Sequence, residues 1–451
     1  MKTWKWMSAL AGLALLMVAA PLTGFAQEGA EAAAPAAPVV EDGDTGDTAW
    51  MMTSCALVLL MTPGLAFFYG GLVRRKNVLS VLVQCFMAMC LMTVAWVVIG
   101  YSLAFAPSML GGVIGGFDHV FLKGVGYDVG DGNIPPMLFM IFQCMFAIIT
   151  PALILGAFAE RLKFGSYCVY ILLWLFLVYC PVCHWVWGGA EGFFGLGGDG
   201  ALDFAGGTVV HINAGISALV CAIVLGKRVG YPDKISPPHN LPFAVLGAGL
   251  LWFGWFGFNA GSAVAANGSA ANAFVVTQVA TAAAGLTWAI LDRIMSQKPT
   301  CLGIITGVVA GLVAITPACG SVSPIGALFV GAGGAIFAFI AVNLKGKLGY
   351  DDSLDVFGVH GVAGIWGALA AGLWATSVVP GNDTNGLFFG NPAQLAIQIK
   401  AVVYTIIWSG VISFILLKII DLTIGLRAEN RDEQVGLDLT EHAETAYTLV
   451  D

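Results

Sequence analysis

Two of the six histidines lie in copies of one motif, V-H-x-x-A-G-I, inside long apolar stretches. The motif places His211 and His360 149 residues apart. In lipid an ionisable side chain costs about 2.5–3.5 kcal/mol, so both must face the interior of a helix bundle. Two imidazoles that meet there can hydrogen-bond through one nitrogen each and present the others to a small molecule. Two structural core histidines are the alternative, whereas a metal would need further ligands that no neighbouring acid or cysteine supplies.

Two aspartates precede these histidines. Asp203 and Asp355 lie eight and five residues upstream, each at the start of a predicted helix. A carboxylate there caps exposed N–H groups and interacts favourably with the positive end of the helix, which is the role we predict for both. Direct contact with a substrate is the alternative. Asp203 also opens D-F-A-G-G, in which the small residues Ala205 and Gly206 let backbone carbonyls line an entrance.

Aromatic residues and one hydroxyl gather near the ends of three apolar stretches. Phe142 and Phe146 share a helix face, because residues four positions apart are neighbours there. The other members are Trp187, Trp255, Phe258 and Ser262. An aromatic belt at the membrane interface is one explanation. A cup of ring faces beside a hydroxyl is the other, and such a cup binds a small cation weakly without a buried carboxylate.

The segment C-P-V-C-H, from Cys180 to His184, matches the attachment motif of c-type haem. Pro181 and neighbouring aromatic residues continue an apolar helix around it, so we favour a structural role without haem or a disulfide. The other eight cysteines are scattered through apolar stretches as small packing residues. The sequence contains no phosphate-binding loop and no Ser/His/Asp set, so we predict neither an enzyme nor a cofactor.

The composition indicates what kind of fold must hold these residues. Of 451 residues, 58% are hydrophobic and 10% are charged, whereas soluble domains have about 25% charged residues. A net charge of −8 argues against nucleic-acid binding, and 59 glycines suit closely packed membrane helices. We therefore predict an all-α polytopic membrane protein. Its eleven spans are expected at 48–70, 78–106, 137–159, 165–187, 205–226, 241–265, 270–291, 301–318, 324–342, 356–376 and 394–424.

The basic residues predict the topology of these spans. The connections after odd-numbered spans hold nearly all of them, whereas those after even-numbered spans hold only Lys123. By the positive-inside rule, the chain enters the first span from outside and leaves the last one inside. The two histidine motifs fall in spans 5 and 10, which cross in opposite directions. We therefore predict inverted repeats at 48–226 and 241–376, plus an extra helix at 394–424.

Both ends of the chain are expected to lie outside the bundle. Residues 1–26 have the basic start, short apolar core and small cleavage-site residues of a secretory signal peptide. A retained first membrane helix is the alternative. Residues 27–47, rich in alanine, proline and acids, are predicted to form a flexible periplasmic leader. Residues 425–451 are polar and predict a cytoplasmic tail, with a solvated, weakly ordered end as the alternative.

Several motifs resemble those of the ammonium transporters (the Amt/Mep/Rh family), above all the bacterial Amt type. They are T-P-G-L-A-F-F-Y-G-G (62–71), G-A-F-A-E-R (156–161), A-L-D-F-A-G-G-T-V-V-H-I-N-A (201–214), G-W-F-G-F-N-A-G-S (254–262) and D-V-F-G-V-H-G-V (355–362). The resemblance runs from Trp50 to Tyr447 and implies an eleven-helix transporter domain at 48–424. It implies a homotrimer in the bacterial inner membrane, with one pore in each protomer for NH4+/NH3 and, as a further candidate substrate, methylammonium.

The same resemblance implies roles for individual residues. The outer recruitment site would comprise Phe142, Trp187 and Ser262, and the stacked gate Phe146 and Phe258. His211 and His360 resemble the family's paired pore histidines, and Trp255 resembles a pore wall. Asp203, with Ala205 and Gly206, is similar to the segment that supports the entrance.

The tail motif G-L-D-L-T-E-H-A-E-T-A-Y (436–447) resembles the family's docking segment, which helps a trimeric PII signalling protein close the pores. The family commonly has glycine where this chain has Ala443, and alanine disfavours a positive φ. An ammonium sensor that signals through a separate cytoplasmic partner is the alternative function. A membrane redox protein that uses C-P-V-C-H is a third hypothesis, which a visible absorbance spectrum would test.

Overall fold

The computed structural model describes residues 43–129, 132–189, 192–195, 198–233, 236–295 and 297–447. The predicted signal peptide and most of the predicted leader lie outside these residues. In the described part of the chain, ten helices are long and apolar enough to cross a membrane, and an eleventh apolar helix is shorter. The prediction of an all-α polytopic membrane protein is confirmed.

We number the membrane helices in chain order. They are α1 (Thr45–Leu72), α2 (Arg75–Phe105), α3 (Pro136–Phe158), α4 (Phe164–Trp187), α5 (Gly207–Leu225), α6 (Leu241–Gly261), α7 (Gly268–Met295), α8 (Cys301–Ile315), α9 (Pro324–Leu348), α10 (Phe357–Trp374) and α11 (Pro392–Thr423). Two short helices follow, α12 (Asn430–Val435) and α13 (Leu437–His442). A hairpin of β1 (Ser108–Met109) and β2 (Ile114–Gly115) lies between α2 and α3.

Some helix ends differ from the predicted ones. Helix α1 begins at Thr45, inside the predicted leader, because Asp44 caps it by accepting hydrogen bonds from two backbone N–H groups. Helix α8 ends at Ile315 rather than 318, because Pro317 has no N–H to donate. Helix α9 continues to Leu348, beyond the predicted end at 342. The prediction stopped early because the last turn carries Lys345 and Lys347, so the apolar pattern ends before the helix does.

The first helices of the two predicted repeats, α1 and α6, pack along glycines. A Cβ on Gly64 would lie 2.9 Å from the Cβ of Leu250, and one on Gly247 would overlap the backbone of Phe68. In lipid no hydrophobic effect drives helices together, so close backbone approach supplies the packing energy instead. The G-L-A-F-F-Y-G-G and G-W-F-G-F-N-A-G segments thus lie in helices that contact each other directly.

Helices α5 and α10 cross at a second pair of glycines. A Cβ on Gly215 would overlap the backbone of Gly361, and one on Gly364 would lie 3.1 Å from the Cβ of His211. Gly215 and Gly364 each follow their histidine by four residues. Each histidine also lies in a π-helical turn, Gly207–Ile212 in α5 and Phe357–Val362 in α10. Single π-turns inside α-helices occur frequently at functional sites.

Residues 425–447 pack against one end of the bundle, which we call the tail face; the opposite end is the far face. Asp438 accepts a hydrogen bond from the backbone of Ser80 at 2.8 Å, and Asn77 accepts one from Leu437 at 2.8 Å. The backbone N–H of Ala428 donates to Arg161 O at 2.8 Å. In the described residues the tail is therefore folded onto the bundle rather than solvated along its length.

Ala443 ends α13 with φ +56° and ψ +30°, in the left-handed region. An alanine thus adopts here a backbone conformation that glycine favours. We expect Ala443→Gly to stabilise the docked tail by about 1 kcal/mol, which is about a fivefold slowing of hydrogen exchange at the amides of residues 436–447. Gly436→Ala is the control with the opposite expected effect, a weakened tail contact. Gly436 has φ +117°, and a Cβ added there would lie 2.5 Å from Lys76 O. Equal exchange in wild type and Ala443→Gly would contradict the prediction.

Candidate functional site

His211 and His360 meet in the middle of the bundle. Their Nδ1 atoms are 3.3 Å apart, and the rings are nearly parallel with centroids 5.4 Å apart. Both side chains are buried. Because one Nδ1 must donate and the other accept, the two neutral rings are opposite tautomers, with one bare Nε2 and one Nε2–H. His211 Nε2 has no hydrogen-bond partner among the described protein atoms.

Asp203 caps α5, as predicted. One carboxylate oxygen accepts from Gly206 N at 2.9 Å and from Gly207 N, and the other accepts from Thr208 N at 2.8 Å, Thr208 Oγ1 and Val209 N. Gly206 has φ +114°, which requires glycine, and a Cβ there would lie 3.3 Å from the ring of Trp187. Ala205 is buried beside it. The carboxylate is therefore a structural acceptor that fixes the turn carrying His211.

The capping role predicted for Asp355 is wrong, because Asp352 caps α10. Asp352 Oδ2 accepts from Phe357 N at 2.7 Å, and it precedes His360 by eight residues, the same spacing as Asp203 and His211. Asp355 has φ +61°, and its carboxylate instead pairs with Lys345 at 2.5 Å. The equal spacing of eight residues in the two repeats could have identified Asp352 as the cap. Asp355 was chosen instead because it lies nearer to the start of the helix.

Burial raises the pKa of Asp352 from 3.8 to about 6, against the opposing charge of Lys345. Its neighbour Asp351 differs: burial alone would raise its pKa, but the hydrogen bonds and charge of Arg228 hold that pKa below its usual value. Folding thus shifts the pKa values of these two adjacent carboxyl groups at the tail face in opposite directions.

We expect Asp352→Asn to flatten the pH dependence of thermal stability. Because the folded protein holds the Asp352 proton up to about pH 6, while the unfolded chain loses it near 3.8, stability falls as pH rises through this window. The amide removes the loss and keeps an acceptor for Phe357 N. The difference in Tm, variant minus wild type, should therefore rise between pH 4 and pH 7 by the equivalent of about 2–3 kcal/mol. For Asp351→Asn the same difference should be nearly flat between pH 4 and pH 7 and should fall as pH rises only below about pH 4, because the folded-state pKa of Asp351 lies below 3.8. A rise between pH 4 and pH 7 in both variants would contradict the assignment.

Aromatic rings lead from the far face to the histidine pair. Phe146 and Phe258 have ring centroids 4.4 Å apart, with Phe142 at 5.1 Å and Trp187 at 5.5 Å from Phe146. Trp187 Nε1 donates to Asp203 O at 2.9 Å. The structure thus brings the predicted recruitment and gate rings into one cluster.

Ser262 lies beside this cluster at the end of α6. Its hydroxyl donates to Phe258 O at 2.8 Å, which leaves the oxygen free to accept. A Cβ on the preceding Gly261 would lie 3.1 Å from the ring of Phe142. Phe142, Phe146 and Phe258 are buried, whereas Trp187 and Ser262 are partly exposed. The partly exposed members are therefore the first that a cation would reach from the far face.

Trp255 connects the gate rings to the histidines. Its ring stacks on His211 at 5.4 Å and 15°, and it lies 5.4 Å from Phe258. Trp255 Nε1 donates to Thr316 Oγ1 at 2.8 Å, in the turn that follows α8. Sequence reasoning did not find Thr316 as the residue that fixes the Trp255 ring. Thr316 lies 61 residues after Trp255 in the sequence, and threonine hydroxyls are common in such turns.

A narrow cavity runs beside the histidine pair, bordered by Phe258 and Trp255 on one side. Among the described residues that line it, His211 and His360 are the only titratable ones. His360 also lines a larger cavity that opens toward the tail face, near Asp355 and Arg228. The histidine pair therefore lies between the aromatic cluster and this second cavity. No group of three or more His, Cys, Asp or Glu among the described residues is arranged to hold a metal ion.

The C-P-V-C-H segment lies away from this cavity. Both ring nitrogens of His184 have protein partners, Ser108 Oγ at 2.7 Å and Ala104 O at 2.8 Å. Cys180 Sγ donates to Gly100 O at 3.5 Å, and all the described cysteines are free thiols. These contacts join α4 to the end of α2 and leave no imidazole nitrogen of His184 for an iron.

The sequence pattern of the Ammonium Transporter Family matches residues 49–447. This chain belongs to the ammonium transporter family. It is 49% identical over 405 residues to an ammonium transporter of Bacillus subtilis, covering 89% of this chain and 98% of that protein. It is 44% identical to ammonium transporter Amt1 of Archaeoglobus fulgidus, over 89% of this chain and 99% of that one.

Solved structures share the fold of this ammonium transporter. The crystal structure of Candida albicans Mep2 superposes with a TM-score of 0.81 at 36% identity, covering 90% of this chain and 91% of that one. A structure described as a sensor Amt protein superposes with a TM-score of 0.81 at 28% identity, covering 88% and 98%. The family consists of transporters, so the prediction that this chain is not an enzyme is confirmed.

Proposed function

We propose that this ammonium transporter collects NH4+ at Phe142, Trp187 and Ser262, removes a proton, and passes NH3 between Phe146 and Phe258 to the histidine pair. The observation that carries the proposal is the unbroken series of ring contacts from Trp187 to His360. It leads into a cavity whose described lining has no charge other than what the two imidazoles can hold. Such a cavity rejects ions that cannot become neutral.

The chemistry of ammonium explains why these residue types suit it. NH4+ is about the size of K+, so a cage of carbonyls would select poorly between them. Ring faces attract a small cation by about 0.5–2 kcal/mol, which collects it without trapping it. Unlike K+, NH4+ can lose a proton, and NH3 can donate to a bare imidazole nitrogen and accept from a protonated one. The proton either returns to the far face or follows through the pair.

Positive charge at the tail face supports the proposed orientation. Arg74, Arg161, Arg228 and Arg427 all lie there, near the docked tail. By the positive-inside rule that face is cytoplasmic, and the far face, with the recruitment rings, is periplasmic. We propose that the protein is a homotrimer of the bacterial inner membrane, with a cleaved signal at 1–26, an acidic leader, and a tail that receives a PII-type regulator.

An ammonium sensor is the second candidate function. The observation in its favour is the similarity to the sensor Amt protein at a TM-score of 0.81. A sensor binds ammonium and signals to a cytoplasmic partner with little flux, so flux and binding separate the two functions.

The test is an ammonium jump on proteoliposomes that hold the full chain, with membrane current and internal pH recorded together. Movement of charge with ammonium gives a current, whereas neutral NH3 raises internal pH without one. Either result supports transport where it exceeds the response of protein-free liposomes, because neutral NH3 also crosses lipid by itself, and addition of K+ in place of NH4+ should give neither. Silence in both recordings, with ammonium binding retained, would overturn the transporter proposal and favour the sensor.

A further inference from the structure

Helix α11 has a polar packed face and an apolar exposed face. The polar members of its buried stripe are Gln394, Gln398, Thr405, Ser409 and Ser413. Its exposed side includes Ile407 and Val411. This is the inverse of a surface helix in a soluble protein, and it suits a helix with lipid on one side. Because buried polar groups in a membrane must find partners within the protein, the polar side chains of this stripe reveal its contacts. Thr405 bonds to Ala401 O within α11, whereas the other four have partners outside the helix.

Three of these side chains contact the segment that leads into and through α5, each at a sequence offset of 196 residues. The pairs are Gln398 with Leu202 (2.7 Å), Ser409 with Asn213 (2.6 Å) and Ser413 with Ser217 (2.9 Å). A constant offset means that α11 runs parallel to α5 and stays in register with it. His211 lies between the first and second of these contacts.

The middle contact reaches the π-helical turn that carries His211. The backbone N–H of Asn213 bonds to Thr208 O, five residues back, and to Val210 O, three residues back, but not to Val209 O, four residues back. The side-chain amide of Asn213 then donates to Val209 O at 3.2 Å. At its other end, Asn213 Oδ1 accepts the hydroxyl of Ser409. Ser409 of α11 thus holds the side-chain amide of Asn213 in place, and that amide donates to Val209 O, which the π-turn leaves without its usual backbone donor.

The first contact adds a second restraint. Gln398 accepts from Leu202 N and donates to both Leu202 O and Ala368 O at 2.8 Å. Leu202 is the neighbour of Asp203, and Ala368 lies in α10, eight residues after His360. Helix α11 lies outside both predicted repeats. Through Gln398 it nevertheless bonds to the segment before α5 in the first repeat and to the middle of α10 in the second.

We propose that Ser409, acting through Asn213, positions the imidazole of His211 against His360 for ammonia conduction. This inference rests on the proposed function of the histidine pair. Ser409 contacts neither ring, so it is a positioning residue. Without its hydroxyl, the amide of Asn213 is free to rotate, Val209 O loses a fixed donor, and the π-turn relaxes toward a regular α-helix. The imidazole of His211, two residues before Asn213, then turns away from His360.

The experiment compares Ser409→Ala with Ser413→Ala in proteoliposomes. Both remove a serine hydroxyl from the same stripe and break one bond to α5, but only the first touches the His211 turn. We expect the maximal ammonium flux of Ser409→Ala to fall about tenfold, with the half-saturating concentration within about twofold of wild type. Ser413→Ala should keep both values. Ser409→Thr, which retains a hydroxyl, should restore the flux, and Ser409→Cys is the milder variant should alanine prevent folding.

A second measurement does not depend on transport. In 15N-histidine-labelled protein in lipid, the NMR resonances of the coupled histidine pair should shift in Ser409→Ala and stay in place in Ser413→Ala. Equal flux losses in both alanine variants without such a shift would overturn the proposal, because the stripe would then act only as packing. Unchanged flux and resonances in Ser409→Ala would overturn it as well. A silent wild type would refute the proposed function, while the resonances would still decide the positioning role.

Discussion

Replacing both His211 and His360 with alanine should reduce ammonium-dependent flux about hundredfold, the equivalent of about 2.7 kcal/mol in the barrier. The imidazoles are the only titratable groups that line the narrow cavity in the described residues. Ammonia that leaves water for this cavity would find no hydrogen-bond partner once they are gone, and an unsatisfied polar group costs about 1–3 kcal/mol or more. The measurement is the initial rate of ammonium uptake in proteoliposomes, normalised to inserted protein.

The single variants sharpen this prediction. Because each ring supplies the partner of the other at 3.3 Å, His211→Ala and His360→Ala should each lose most of the flux, and the double variant little more. His119→Ala is the matched control, since this histidine lies in the connection between α2 and α3 and bonds to the backbone of Lys123. Wild-type flux in the double variant would refute a role for the pair. A new K+ conductance would instead show that the pair also excludes ions.

Asp203→Asn should cost both stability and flux. The carboxylate of Asp203 accepts hydrogen bonds from four backbone N–H groups and one hydroxyl, shared between its two oxygens. An asparagine has one acceptor oxygen, and its NH2 group would face donors. At least two buried N–H groups would lose their partner, which costs about 2–4 kcal/mol in the free energy of unfolding. Because those groups belong to the turn that carries His211, the uptake rate should fall with the Tm.

Asp199→Asn is the control for this change. It makes the same substitution four residues earlier, at an exposed carboxylate that pairs with the exposed Lys400. Exposed ion pairs contribute little to stability, so Tm and uptake should stay near wild type. The role of Asp203 as the acceptor of the turn would be refuted if Asp203→Asn matched Asp199→Asn in both measurements.

The membrane fold could be predicted from sequence because lipid imposes simple rules. Apolar stretches of about 20 residues and one-sided basic loops are the direct requirements of crossing a bilayer. The meeting of His211 and His360 was foreseeable for a related reason. Two copies of a motif in oppositely directed spans are brought to equivalent positions by the pseudo-symmetry of an inverted repeat. These features depend on pattern and periodicity, which a single sequence contains.

What the sequence did not reveal depends on contacts between distant positions. Asp355 was chosen as a cap because it is the acid nearest to α10, yet the carboxylate that reaches Phe357 N belongs to Asp352. The role of α11 was equally hidden, since serine and glutamine at helical spacing do not disclose which backbone they will meet. Thr316 holds the Trp255 ring across a turn that no local pattern connects to α6. Such pairings are decided by packing rather than by propensity.

Helix α11 also has a place in the order of biosynthesis. The ribosome makes α5 and α10 before residues 392–423, so Leu202, Asn213 and Ser217 lack their partners on α11 while both repeats are already being inserted. Because lipid offers no hydrogen-bond partners to the polar stripe, we expect this side of α11 to be stable in the membrane only once it packs against α5. The turn that carries His211 thus completes these contacts only after α11, which follows both α5 and α10 in the chain, has been made.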